Sequence, residues 1–241
     1  MEKVVIVTGG SKGIGNGLLE AYRKQNYRLF SISRTRNKQH DEGVEYLKLD
    51  LSNGKRTATV LAQIFQLIDE KSIERIVLIN NAATLGTVDK VDNIPYKDIQ
   101  KTINLNLIAP FILTSSFIKL TANWTCSKKI INISSGAANK PNYGWAVYSS
   151  TKAALDMMTR AVATEQEYQK HGVKIIAIHP GIIDTKMQAK IRKVDESKFK
   201  DVKRFIAFKK EGKLADPAVV GARIYEVDND EAIENGAIIK L

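Results

Sequence analysis

Ser135, Tyr148 and Lys152 are residues whose types and spacing could do chemistry together. Tyr148 follows Ser135 by thirteen positions and precedes Lys152 by four. If a helix begins near Tyr148, positions i and i+4 share a face, so the phenol and the ammonium point the same way. A cation there favours the phenolate and lowers the phenol from its usual pKa of about 10. A phenol tuned in this way gives or takes a proton near neutral pH. Ser135, closing a strand, is placed to hold a carbonyl oxygen beside it. Y-x-x-x-K alone is a common helix pair, so the assignment turns on the elements that surround it.

Those elements alternate. Apolar runs at Val4–Thr8, Arg28–Ser33, Val44–Leu49, Arg75–Ile79, Lys129–Ser134 and Lys174–His179 read as strands, with a short seventh at Ala237–Lys240. Helical periodicity covers Leu18–Gln25, Lys55–Asp69, a stretch from Pro95 to Leu120 with a break or kink at Pro110, Tyr148–Tyr168 and Pro217–Val227, the last capped by Asp216. Continuous apolar strands alternating with helices predict an α/β fold: a doubly wound parallel sheet of about seven strands, helices on both faces, in a single domain over residues 1–241. Such sheets bind ligands beyond the carboxyl ends of their strands. Gly9, Arg34, Asp50, Asn80, Ser135 and Pro180 all fall there.

The first strand runs into T-G-G-S-K-G-I-G. Gly9, Gly13 and Gly15 permit a tight turn and close backbone approach to a pyrophosphate, with Ser11, Lys12 and Ile14 between them. An NAD site wants Asp or Glu at the end of the second strand. This chain has Ser33 and Arg34 there, with Lys12 in the turn and Arg36 nearby, so a ribose 2′-phosphate meets cations and NADP(H) is the expected cofactor.

With these motifs in order, the chain resembles a short-chain dehydrogenase/reductase from end to end. The resemblance rests on T-G-x-x-x-G-x-G, Asp50, N-N-A, Asn106, N-I-S-S, Y-x-x-x-K and P-G-I-I-D-T. It implies a Rossmann fold and a catalytic set of Asn106, Ser135, Tyr148 and Lys152. In that set Tyr148 is the general acid, Lys152 lowers its pKa and binds the nicotinamide ribose, Ser135 polarises the carbonyl, and Asn106 supports a water-mediated proton relay. It also implies that Asp50 and Leu51 lie at the adenine and Asn80 and Ala82 along the adenosine ribose. Ile183 and Thr185 would orient the carboxamide, with Pro180 and Gly181 completing the cofactor contacts. N-N-A-A stands where the family usually has N-N-A-G, so Ala83 adds a methyl group near the cofactor.

Closer similarity is to the sepiapterin reductase branch with its benzil reductases, carried by N-N-A-A-T-L-G, Y-G-W-A-V-Y-S-S-T-K, P-G-I-I-D-T-K-M-Q and E-G-K-L-A-D-P. It implies reduction of a vicinal dicarbonyl, with Leu85, Trp145 and Met187 lining the substrate pocket beside Ser135. Sepiapterin reductases carry a C-terminal aspartate for the pterin; here Lys240 stands in its place and cannot accept the pterin N–H pair. Sepiapterin reduction and a non-catalytic NADP(H) sensor are the alternatives. A sensor would be expected to have lost Tyr148 or Lys152.

At 241 residues and 44% hydrophobic, the chain can bury one substantial core. A single cysteine, Cys126, excludes an internal disulfide. No signal peptide and no apolar stretch of about 18 residues are read, so the expectation is a cytoplasmic protein without membrane contact. Of the net charge of +11, the segment Lys186–Lys213 supplies +7, from eleven Lys/Arg against four Asp/Glu. This basic segment is read as a substrate lid over about 186–214, and its charge raises the prospect of a carboxylated substrate. Nucleic acid is not expected, because the aromatics there (Phe199, Phe205, Phe208) are few and no recognition motif accompanies the charge. No metal-ligand set stands out. The partners expected are a small carbonyl substrate and a second copy of the chain, as dimer or tetramer through helices Asp98–Leu120 and Tyr148–Tyr168. Ala153, Ala154, Ala161 and Ala163 allow close approach there.

Overall fold

The computed structural model describes residues 1–37 and 42–241. In chain order the elements are β1 (Glu2–Thr8), α1 (Ile14–Arg23), β2 (Arg28–Ser33), β3 (Val44–Lys48), α2 (Gly54–Phe65), β4 (Ile73–Asn80), α3 (Tyr96–Ile103), α4 (Ala109–Leu120), β5 (Ser127–Ile133), α5 (Ala146–Glu167), β6 (Lys174–His179), α6 (Lys186–Ile191), α7 (Val202–Lys210), α8 (Pro217–Asn229) and β7 (Ile238–Lys240). The seven strands form one sheet in the order β3-β2-β1-β4-β5-β6-β7. Every neighbouring pair is parallel. The order reverses between β1 and β4, which opens a crevice at their carboxyl ends.

Strand alternation divides the core. Val4 and Ile6 of β1 face one way, with Ile76, Leu78 and Ile130, onto Leu61 and Ile64 of α2 and Leu113 and Phe117 of α4. Val5 and Val7 face the other way, with Val77, Ile79 and Ile131, onto Leu18 and Tyr22 of α1 and Ile224 of α8. Each such side chain taken fully from water contributes roughly 1.5–3 kcal/mol, which is why both faces of the strands are apolar. Helices α1 and α8 meet backbone to backbone. A Cβ on Gly17 would stand 2.1 Å from the Pro217 carbonyl oxygen, and one on Gly221 would stand 2.3 Å from Gly17.

The stretch after Pro95 differs from the sequence expectation. Pro95 precedes α3 as its cap. The irregularity lies before Pro110: residues Asn104–Ile108 form a π-helical turn that runs into α4, with Pro110 in the first turn of that helix. Proline has no N–H to donate, so it is tolerated where the helical ladder has been reset. Residues Tyr96–Leu120 thus form one 25-residue helix whose most apolar 18-residue window has a mean hydropathy of 1.4, enough by length and composition to cross a membrane. This corrects the expectation that no stretch approaches that length. Its inner side packs on α2 and holds the buried polar groups Asn106 and Thr114, as a helix covering a sheet does. Helix α2 also ends earlier than its apolar stripe suggests, at Phe65, although Ile68 beyond it remains buried.

Candidate active site

A cleft of about 630 Å³ opens at the carboxyl ends of the strands, beginning at the glycine turn. Gly9 and Gly13 adopt positive φ angles of 70° and 55°, a region costly for residues with a Cβ. Gly15 lies behind the turn, where a Cβ would stand 2.3 Å from the Gly9 carbonyl oxygen. Ser11, Lys12 and Ile14 line the cleft with Gly9 and Gly13. Thr185 closes the turn from the far side, its Cγ2 3.3 Å from where a Gly13 Cβ would be.

Beyond β2 and β3, Ser33, Arg34, Asp50 and Leu51 line the same end of the cleft as Lys12. The Asp50 carboxylate accepts from the Ser52 amide at 3.0 Å and its hydroxyl at 2.7 Å. Partial burial pushes the Asp50 pKa up, but these bonds and nearby Arg34 outweigh it and hold the group below its usual range. Arg36 instead lies over the Tyr46 ring at 5.6 Å, outside the cleft lining. One carboxylate held by its own loop beside two cations suits a phosphorylated ribose, and the Cβ-free turn suits a pyrophosphate.

One residue read as a cofactor contact points elsewhere. The Asn80 side chain turns into the core, donating to Asn132 Oδ1 at 2.9 Å, and does not line the cleft. Its neighbour Asn81 does the work at the cleft, donating to the Thr8 carbonyl at 2.8 Å. Thr8 Oγ1 in turn accepts the Asn81 and Ala82 amides, each at 2.9 Å. Thr8 and Asn81 thereby lock the ends of β1 and β4 together across the crevice. Neither was singled out in the sequence, where N-N-A offers two asparagines and strand alternation alone assigns the first to the interior.

The catalytic candidates converge. Ser135 follows β5 in extended conformation and its Oγ accepts the Ala137 amide at 3.1 Å. Tyr148 stands in the first turn of α5, buried to 8% exposure, with Ser135 near enough to act on its phenol. Lys152, one turn on and 3% exposed, lies with its ammonium 5.9 Å from the Tyr148 ring centre and donates to the Ile133 carbonyl at 2.8 Å. The expected depression of the phenol by Lys152 is not what this arrangement produces. Burial pushes the Tyr148 pKa up and Ser135 draws it only partly back, so the phenol stays above its ordinary value. A phenol held protonated is the state a general acid needs at rest. Burial also lowers Lys152 to about 8, opposed by Asp156.

Asn106 does not line the cleft either. It is fully buried in the π-helical turn, where its amide donates to the Thr84 carbonyl at 2.8 Å and Thr151 Oγ1 at 3.3 Å and accepts the Thr84 amide at 2.9 Å. It ties the loop after β4 to α5 directly behind Tyr148.

Leu85, Trp145 and Met187 line the other end of the cleft, as read from the sequence, and Pro180, Gly181 and Ile183 line its floor. Aromatic side chains missed in the sequence join them. Trp145 stacks on the fully buried Phe199 at 4.8 Å and 9°, and meets Phe205 edge-on at 5.5 Å and Tyr148 at 5.6 Å. Phe205 and Phe208 line the cleft as well. Segment 186–214 is thus anchored on the loop before α5 through Phe199, with a Gly144 Cβ position only 2.1 Å from the Lys198 carbonyl oxygen. Lys240 lies on β7 beside His179 with an exposed side chain outside the cleft lining, so its place gives no support to a role in choosing the substrate.

The model of the short chain dehydrogenase family matches residues 3–196. The chain belongs to the short-chain dehydrogenase/reductase family. It is an oxidoreductase of that family, on a sheet and helix arrangement shared with its solved members. A benzil reductase of Bacillus cereus, (S)-benzoin forming, is 37% identical over 99% of both chains. The sepiapterin reductase of Bos taurus is 29% identical over 97% of this chain and 92% of its own. Among solved structures, ElxO with NADP bound superposes with a TM-score of 0.80 at 26% identity, covering 100% of this chain and 97% of that one.

Proposed function

We propose that the protein is an NADPH-dependent carbonyl reductase of vicinal dicarbonyls, with Tyr148 as general acid. The observation that carries the reading is one cleft holding Ser135, a buried phenol, a buried ammonium beside it, and an aromatic wall of Trp145 and Phe205. A bound nicotinamide cofactor supplies the hydride. Ser135 holds and polarises the substrate oxygen, and Tyr148 gives that oxygen its proton. Lys152 then faces a phenolate, whose charge its ammonium stabilises. Asn106 steadies the wall behind them and supports proton resupply. Similarity to the benzil reductase favours a diketone, and a planar aryl diketone matches the aromatic wall. In initial-rate assays of cofactor loss, benzil and 1-phenyl-1,2-propanedione should outpace sepiapterin and a simple monoketone. Equal use of sepiapterin supports the pterin alternative, and tight cofactor binding without any turnover supports the sensor.

Lys12 and Arg34 carry the choice of NADPH. Arg34→Ala is expected to raise KM for NADPH roughly 10- to 100-fold, the scale of a charged hydrogen bond, with NADH scarcely moved. Equal effects on both cofactors contradict the assignment.

One domain spans the chain, with 186–214 as its substrate lid. Arg204, over the Phe208 ring at 5.2 Å, and Lys140 both line the substrate end of the cleft. They favour substrates with a carboxylate beside the ketone. Each is exposed and screened, so benzoylformate should gain up to about fivefold in kcat/KM per cation at low salt. Arg204→Gln should remove its share; equal kcat/KM for benzoylformate and the neutral diketone contradicts the idea.

A second copy of the chain covers the apolar strip formed by exposed Ile108, Phe111 and Met157. Sedimentation is expected to show a dimer or tetramer; a monomer at micromolar concentration contradicts this.

A further inference from the structure

Beneath the catalytic lysine lies a buried ionisable pair that the mechanism above does not use. Asp156 follows Lys152 by one helical turn on the same face of α5. Its Oδ2 lies 2.8 Å from His179 Nε2, and the two residues are 4% and 3% exposed. His179 ends β6, immediately before Pro180 and Gly181 of the cleft floor. Asp156 Oδ1 and His179 Nδ1 have no hydrogen-bond partner among the described residues. A carboxylate so placed is costly to bury unless something nearby benefits from its charge.

The charged and titratable groups around Lys152 are few. On α5 they are Tyr148 and Asp156, with Arg160 exposed one turn further on. From β5 the Ile133 carbonyl accepts from the lysine ammonium, and the Ser134 hydroxyl donates to the Lys152 backbone carbonyl; β6 brings His179 to Asp156, and β7 beside it carries the exposed Lys240. Asp156 is the one charged group among these that acts on Lys152, and it opposes the effect of burial.

We propose that Asp156, oriented by His179, is a positioning residue that keeps Lys152 in its ammonium form at neutral pH. The inference rests on the roles given to Tyr148 and Lys152 above. The sign follows directly: burial disfavours the cation and a nearby carboxylate favours it. Without that carboxylate the lysine loses its proton at lower pH. The phenolate left after proton transfer then has no cation beside it, and the alkaline limit of catalysis moves down.

The test is a pH titration of Lys152 by heteronuclear NMR in protein labelled at lysine Cε and Nζ, assigned by Lys152→Arg. It needs neither substrate nor turnover, so it stands apart from the success of the carbonyl-reductase reading. In wild type the midpoint is expected near 8. Asp156→Asn, which keeps the shape and an acceptor for His179, should lower it by on the order of one pH unit. Asp156→Glu should restore it, and kcat/KM for the diketone should lose its alkaline limb at correspondingly lower pH. If Asp156→Asn does not fold, Asp156→Ser removes the same charge with a smaller group and decides the matter alone. An unmoved Lys152 midpoint in either folded variant overturns the proposal and leaves the pair a purely structural contact.

Discussion

Tyr148→Phe is expected to lower kcat for carbonyl reduction by roughly a hundred- to ten-thousandfold, the range of a lost general acid. The phenylalanine fills the same buried space beside Trp145, so the aromatic wall and lid anchor should persist. Only the hydroxyl is removed. NADPH affinity, read by fluorescence titration, should stay within a few-fold because the glycine turn, Lys12 and Arg34 are untouched. The change therefore belongs to kcat and to kcat/KM together, as for an interaction made in the transition state. Retention of more than about a tenth of wild-type kcat would assign the proton to another donor.

The second large effect lies far from the cleft. Asp228, near the end of α8 and without side-chain exposure, accepts from Tyr22 Oη at 2.8 Å and pairs with Arg75 at 2.8 Å and Lys129 at 3.3 Å. Its backbone carbonyl also accepts from Arg75 at 2.9 Å and from the Lys129 ammonium. Burial, joined by Asp228, pushes the Tyr22 phenol well above its ordinary value. At Lys129 burial lowers the ammonium despite Asp228; at Arg75 Asp228 outweighs burial. Removing the one carboxylate leaves two partly buried cations facing each other. Asp228→Ala is thus expected to cost about 3–5 kcal/mol in urea unfolding, with little change in kcat for the folded fraction. A loss below about 1 kcal/mol would show that water reaches these cations freely.

What the sequence discloses follows from how local each signal is. β2 and β6 have the limits read from their apolar runs, because a parallel strand buried on both faces writes itself as a continuous stretch. Ser135, Tyr148 and Lys152 are legible for the same reason: strand end and helix start fix their directions. Signals that depend on distant partners are not. Lys128 and Lys129 look like solvent-facing strand residues, yet both are buried because carbonyls and Asp228 meet them. Gly17 and Gly221 read as ordinary helix glycines until α1 and α8 are brought together. The charge of Lys186–Lys213 conceals Phe199, which is fully buried against Trp145. The electrostatics of Tyr148 also escape spacing rules, since i and i+4 give a shared face but not the burial that holds the phenol above its ordinary value.

Product formation by the purified protein with benzil and NADPH bears directly on Tyr148 as the proton donor to a diketone. Cofactor loss would be followed by absorbance and benzoin by chromatography, with Tyr148→Phe run alongside. One benzoin is expected per NADPH consumed, with a much slower reaction with NADH and near-silence in the variant. No benzoin from the wild-type protein, or equal rates in wild type and Tyr148→Phe, would contradict it.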